Sequence, residues 1–150
     1  ELIMSRFRGT EMYDPGFDMR SHQASHYGPR HDLSHREFRD YVAQRRWFVA
    51  QFAYLLGELQ RRPGAAGTLL DETVALLCSE VSDGNTHSHD EMPFILGGGG
   101  GGALRGGRLL AYPGRRHADL LASLCWALGE RVERFGQGGA GGPLPGLLTL

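Results

Sequence analysis

"TVALLCSEVSDGNTHSHDEMPFIL" spans Thr73–Leu96. Two short apolar runs flank a knot of turn formers, acids and histidines, and that alternation decides the fold class. Thr73–Val81 is nearly continuously apolar and bounded by turn signals. A short strand buried on both faces explains it best, with a short helix as the alternative. Met92–Leu96 reads as a second short strand, and "RLLAY" (Arg108–Tyr112) as a third. Upstream, "SHRE" carries the S-x-x-E spacing of a capping box at Ser34 and Glu37. Behind it Phe38, Tyr41, Val42, Phe48, Val49, Phe52, Leu55, Leu56 and Leu59 recur at helical spacings, which predicts an amphipathic helix ending before "RRPG". Downstream, "HADLLASLCWALG" places Leu120, Leu121, Leu124 and Leu128 on one face of a second helix with a glycine stop.

The expected layout is a single domain over 1–150. Its parts are a loop-rich 1–33, a helix over 34–62, strands and a His/Asp loop over 69–112, a helix over 117–129 and a loop-like tail over 130–150. Two amphipathic helices interleaved with short buried strands make this an α/β layer architecture.

The 150 residues are enough to bury a core. Hydrophobic content of 41% with 22% charged residues belongs to a globular chain. A net charge of −1 offers nothing global to nucleic acid or to an anionic membrane. No stretch reaches the roughly 18 apolar residues of a membrane span. All 16 basic residues are arginine, a side chain that clamps oxyanions bidentately. Cys78 and Cys125 lie far apart in apolar surroundings and read as buried free thiols, with a single disulfide as the alternative. A start at Glu1 in place of Met reads as a fragment or a processed product.

Candidate chemistry gathers after the first strand in Glu80, Asp83, Asn85, His87, His89 and Asp90. Ligand sites of open α/β sheets collect beyond the carboxyl ends of strands, where this cluster falls. In extended backbone His87 and His89 share a face. Imidazoles with carboxylates suit Zn²⁺, Mn²⁺ or Fe²⁺, so His87, His89, Asp83 and Glu80 are the candidate metal ligands. The competing reading is a solvated loop in which "SDGN" simply turns. His31, His35 and His117 are further candidates; His22 and His26 are spaced i, i+4 but lie in a segment without helical periodicity. The six glycines Gly97–Gly102 match no phosphate fingerprint and read as a turn of close backbone approach, while Arg108 is a candidate anion clamp.

Taken together, "HDLSH", "GTLLDETVALLCSEVSDGNTHSHDEMPFILGGGGGGALRGGRLLAY", "HADLLASLCWALG" and "RFGQGGAGGPLPGLL" resemble, in that order, the C-terminal part of an exported bacterial family, domain of unknown function 1552. The resemblance runs from about His31 to Leu148. That family is similar to the alkaline phosphatase and sulfatase superfamily of α/β sandwiches with metals at the strand ends. The resemblance therefore implies a partial alkaline-phosphatase-like sandwich. By it, "DLLASLCWALG" is similar to a late superfamily helix, and His87 or His89 looks like the late metal-binding histidine, with Asp83 and Glu80 nearby. His31 and His35 match the family's H-x-x-S-H motif, with Arg30 standing where paired histidines often occur.

The implied function is part of a metal-dependent phosphate- or sulfate-ester hydrolase using Zn²⁺, Mn²⁺ or Ca²⁺ on a small phosphorylated or sulfated substrate. Its implied place is periplasmic or extracellular. The superfamily's nucleophile and first metal aspartate come from sequence that precedes this part. The alternative is a non-catalytic binding or structural module, or a truncated remnant of the fold, with an exported protein as partner.

Overall fold

The computed structural model describes residues 19–29, 31–138 and 141–149. They form a mixed helical and stranded α/β chain in the coarse sense. In order come α1 (Ser21–Ser25), α2 (Arg36–Arg61), α3 (Leu69–Glu72), β1 (Ala75–Leu77), β2 (Ile95–Gly97), a 3-10 turn at Gly100–Gly102 and α4 (His117–Ala127). The chain divides into two compact units. One comprises the segments up to Ala53 and Cys78–Pro93; the other comprises Tyr54–Leu77 and Phe94 onward.

In the first unit, α2 starts at Arg36, so His35 stands just before it: its carbonyl accepts from Arg39 N–H at 2.9 Å and its N–H donates to Asp32 at 3.0 Å. The expected loop before α2 is interrupted by α1, a single turn whose Ala24 is completely buried. Two polar contacts anchor α1: Gln44 Nε2 donates to the Met19 carbonyl at 3.0 Å, and Arg45 Nη2 to Ser21 Oγ at 3.1 Å. The only buried residue of α2 is Gln44, and Val49, Tyr54 and Leu55 are exposed. Of the apolar stripe that predicts this helix, Val49 and Leu55 are exposed and the other members are half-buried.

The second unit holds the sheet, and here the strand expectations need correction. β1 and β2 pair antiparallel in a sheet of two strands, with Ala75 opposite Gly97, Leu76 opposite Leu96 and Leu77 opposite Ile95. Each strand is three residues long and only partly covered, so neither is buried on both faces. The pairing ends at Leu77; Cys78 is exposed and free, and Cys125 is half-buried and free. Arg108–Tyr112 forms no strand, and Leu109 is 99% exposed. With an antiparallel pair in place of a parallel sheet, the rule that ligands gather beyond parallel strand ends does not apply to the loop after β1.

α3 arises from a signal beside the quoted stretch. Thr68 caps it: Asp71 N–H donates to Thr68 Oγ1 at 3.3 Å, and Thr68 N–H donates back to Asp71 Oδ2 at 2.8 Å. This reciprocal pairing satisfies two otherwise orphaned donors. The glycine run then packs on α3. Gly98 adopts φ +96°, and a Cβ there would lie 2.1 Å from the Thr73 carbonyl oxygen. Gly99 N–H donates to Leu70 and Gly100 N–H to Thr73, each at 3.0 Å.

The core of this unit is Leu120, Leu144 and Leu147, surrounded by Leu76, Phe94, Leu96, Leu104, Tyr112, Leu124 and Leu148. Burying each leucine contributes about 1.5–3 kcal/mol. Two of the three buried leucines come from the tail that reads as loop. Ser123 ties the tail down: its hydroxyl donates to the Asp119 carbonyl at 2.7 Å and accepts from Leu144 N–H at 2.8 Å. α4 covers most of its predicted span and stops where Gly129 takes φ +91°, but Leu128 is 66% exposed and lies off the core face.

Candidate functional site

The residues Ser82–Ser88 close on themselves. Asp83 and Ser88 form a bridge, and the Ser88 carbonyl accepts from Ser82 N–H at 2.8 Å and from Ser82 Oγ at 3.0 Å. Inside the loop the Asp83 carboxylate acts as a hub. Its Oδ1 accepts from Asn85 N–H and Asn85 Nδ2, both at 3.1 Å, and from Tyr27 Oη at 3.3 Å; its Oδ2 accepts from Thr86 Oγ1 at 2.7 Å. An acid two residues before an amide donor is an Asx turn, which explains why "DGNT" folds locally. These donors, Thr86 first, hold the Asp83 carboxyl down at about 2. Burial, then the neighbouring Asp83 charge, pushes the Tyr27 phenol above its ordinary value.

The loop is also fastened to the segment after α1. Gly28 N–H donates to Asn85 Oδ1 at 2.7 Å, and Asn85 Nδ2 donates to the Gly28 carbonyl at 3.2 Å. Gly84 is buried against Ser25, and a Cβ there would meet the Ser25 carbonyl oxygen at 2.5 Å. Only a residue without a side chain fits that approach.

This scaffold places the candidate residues as follows. His87 sits at φ +55°, a left-handed conformation that costs an L-residue about 1–2 kcal/mol. Extended backbone is therefore lost at this position, and the alternation that would set His87 and His89 on one face does not hold. The His87 ring instead lies 5.2 Å from the His26 ring, and His26 lies 4.7 Å from His22. His89 and Glu80 are exposed. His31 packs in an aromatic group, 5.3 Å from Tyr27 and stacked 5.6 Å from Phe38. His35 belongs to the start of α2, as described above. In the second unit, His117 opens α4 with its ring 5.1 Å from Phe94.

Arg108 is occupied differently from an anion clamp. Its guanidinium donates to three main-chain carbonyls, those of Arg105, Gly146 and Leu147, at 2.9, 2.6 and 2.9 Å. It thereby pins the tail to the preceding turn. In the glycine run the N–H groups of Gly99, Gly100 and Gly102 donate to main-chain carbonyls and so do not face an anion.

The fit of Glu80, Asp83, His87 and His89 to a divalent cation follows from this geometry. Both Asp83 oxygens already accept hydrogen bonds, and among the described residues no group of three or more His, Cys, Asp or Glu side chains stands ready to hold a metal ion. The four residues are neighbours in sequence without being a convergent ligand set. Tyr27, Gly84 and Asn85 carry the architecture of the loop, and His22 and His26 join it through α1. The i, i+4 spacing of His22 and His26 is the sequence signal for that pairing. No helix among the described residues is long and apolar enough to cross a membrane. No family model, curated protein or solved structure matches the chain.

Proposed function

We propose that this chain is a non-catalytic binding module built on the histidine-loop portion of an alkaline-phosphatase-like fold, of the kind represented by domain of unknown function 1552. In this reading β1 and β2 belong to part of a larger α/β sandwich, and the protein is exported to the periplasm or beyond, where it docks another exported protein. The observation that carries the binding role is the commitment of Asp83. Its carboxylate holds the loop together through Thr86, Asn85 and Tyr27, while His87 and His89 are exposed with Glu80 and Asp90 beside them. A structural carboxylate of this type is poorly placed to serve as a ligand or a base, because releasing it would undo the loop.

If a divalent cation, Zn²⁺, Mn²⁺ or Ca²⁺, were taken up, histidines would have to hold it because Asp83 is committed to the loop, and imidazole donors favour Zn²⁺ over Ca²⁺. The second reading, a metal-dependent phosphate- or sulfate-ester hydrolase, is favoured by the exposed His87 and His89 on one short loop. A bound ion would in that case polarise a phosphoryl or sulfuryl oxygen. Hydrolysis of p-nitrophenyl phosphate and p-nitrophenyl sulfate with each ion separates the two. The binding role predicts rates equal to buffer plus metal. Turnover that disappears in His87→Ala overturns it in favour of the hydrolase.

A further inference from the structure

We infer that the peptide bond between Leu109 and Leu110 is a processing site for an endoprotease with an apolar primary pocket, and that the cut chain stays together as two pieces. The inference stands apart from the binding role above and lies wholly within the second unit.

Every residue of Arg105–Ala111 is exposed, and the segment holds no helix, strand or hydrogen-bonded turn. Among the described residues none of its main-chain N–H groups donates to a main-chain carbonyl. An endoprotease reads its substrate as an extended strand paired to its own main chain, so a backbone engaged in nothing needs little local opening. Exposed loops of this kind are where nicking concentrates. Leu109 is 99% exposed, which puts the apolar side chain that such an enzyme reads in solvent. The Arg108 side chain, which a basic-specific enzyme would need to cut one bond earlier, is instead held by the carbonyls of Arg105, Gly146 and Leu147.

Other exposed apolar residues are less well presented. Val49, Tyr54 and Leu55 lie within the hydrogen-bonded ladder of α2, and Ile95 is paired with Leu77. Leu33 stands in the turn before α2, where Ser34 N–H donates to Asp32 Oδ1 at 2.9 Å. Leu128 N–H donates to the Leu124 and Cys125 carbonyls, both at 3.1 Å. Phe135 is followed by Gly136 at φ +62° and Gly138 at φ +88°, which turn the chain away from an extended course.

Hydrolysis breaks the bond between the Leu109 carbonyl carbon and the Leu110 nitrogen. Water supplies the hydroxyl that completes the new carboxyl group and the proton that completes the new amine. The pieces 1–109 and 110–150 remain joined by contacts that cross the cut. Arg108 of the first holds the Gly146 and Leu147 carbonyls of the second at 2.6 and 2.9 Å. Leu104 forms a bridge with Leu148, and Thr149 N–H donates to the Ala103 carbonyl at 3.0 Å. Leu120, Leu144 and Leu147 of the second piece pack against Leu76, Leu96 and Leu104 of the first. Close behind the new amine, Tyr112 Oη donates to the Pro145 carbonyl at 2.9 Å, so both new ends start from fastened residues.

The test is brief digestion of the folded full chain with a small amount of subtilisin. Mass spectrometry identifies the cut bonds, and gel filtration with and without urea shows whether the pieces stay together. Within residues 19–149 the first cut should fall between Leu109 and Leu110, and the two pieces should elute as one until urea is added. Leu109→Glu should slow that cut by roughly tenfold or more, because an apolar pocket would have to take a charge. Leu128→Glu, at another exposed leucine, should leave the rate unchanged. A first cut at any other bond in that range, or a cut that Leu109→Glu does not slow, overturns the site. Pieces that separate without urea overturn the two-piece product.

Discussion

Replacing Asp119 should destabilise the second unit, and the size of the effect can be worked from the structure. Asp119 is 1% exposed at the start of α4. Its Oδ2 accepts from Arg115 Nε at 2.8 Å and Arg116 N–H at 3.3 Å, and its Oδ1 accepts from Gly141 N–H at 3.3 Å. It therefore caps the helix, pairs a guanidinium and holds the tail that delivers Leu144 and Leu147. Burial pushes its pKa up, but the Arg115 bond and charge and the two main-chain donors outweigh that and leave it below the ordinary aspartate value.

Breaking a buried ion pair from one side costs about 3–5 kcal/mol. The Arg115 side chain is 28% exposed, so water can take up part of its charge and the lower end applies, about 3 kcal/mol. Asp119→Asn keeps an acceptor and the shape, and should cost about 1–2 kcal/mol. The assay is urea unfolding followed through Trp126, in a Trp47→Phe background so that α4 alone reports. With an m-value of about 1.5 kcal/mol per molar, Asp119→Ala should lower the midpoint by about 2 M. A shift below about 0.5 M at unchanged slope refutes the reasoning, because the carboxylate would then be doing no more than a surface charge.

Two further outcomes follow from other positions. Gly98→Ala should destabilise by about 3 kcal/mol or more, since it adds a left-handed backbone cost to a collision with the Thr73 carbonyl. Gly101→Ala, at φ +65° with nothing nearby, should cost only about 1 kcal/mol; equal melting temperatures for the two would refute the close-packing account of the glycine run. For Asp83, a folded pKa near 2 lies below the unfolded value of about 3.9, so its stabilising contribution is complete above pH 4 and is lost as pH falls toward 2. Carboxyl NMR should show that midpoint and show it rising in Thr86→Val; an unmoved midpoint would remove Thr86 as the leading cause.

Much of the local structure is legible in the sequence because it depends on neighbours along the chain. The long helix α2, α4 with its glycine stop, the turn at "SDGN" and a glycine run of close backbone approach all rest on spacings of a few residues. The T-x-x-D cap of α3 is legible in the same way, at Thr68 and Asp71. Helical periodicity does not say what covers the apolar face, so the stripe of α2 is legible although Val49 and Leu55 within it are exposed and the rest are only half-buried. The strands shorten to three residues because pairing is settled between segments: Leu77 finds Ile95, and Cys78 finds no ladder partner. Leu144 and Leu147 read as loop because their burial depends on Ser123, Asp119 and Arg108, which come from elsewhere in the chain.

The site divides along the same line. By itself the sequence determines that Asp83, Asn85 and Thr86 make a polar turn and that His87 stands beside it, because an Asx turn needs only residues within three positions. It also sets His22 and His26 one helical turn apart. Which imidazoles meet was decided by tertiary structure alone. Asn85 and Gly84 draw the loop onto α1, and the left-handed backbone at His87 turns its ring toward His26 instead of His89. Side chains more than fifty positions apart carry no shared periodicity, so only the packing of backbone on backbone could bring them within reach.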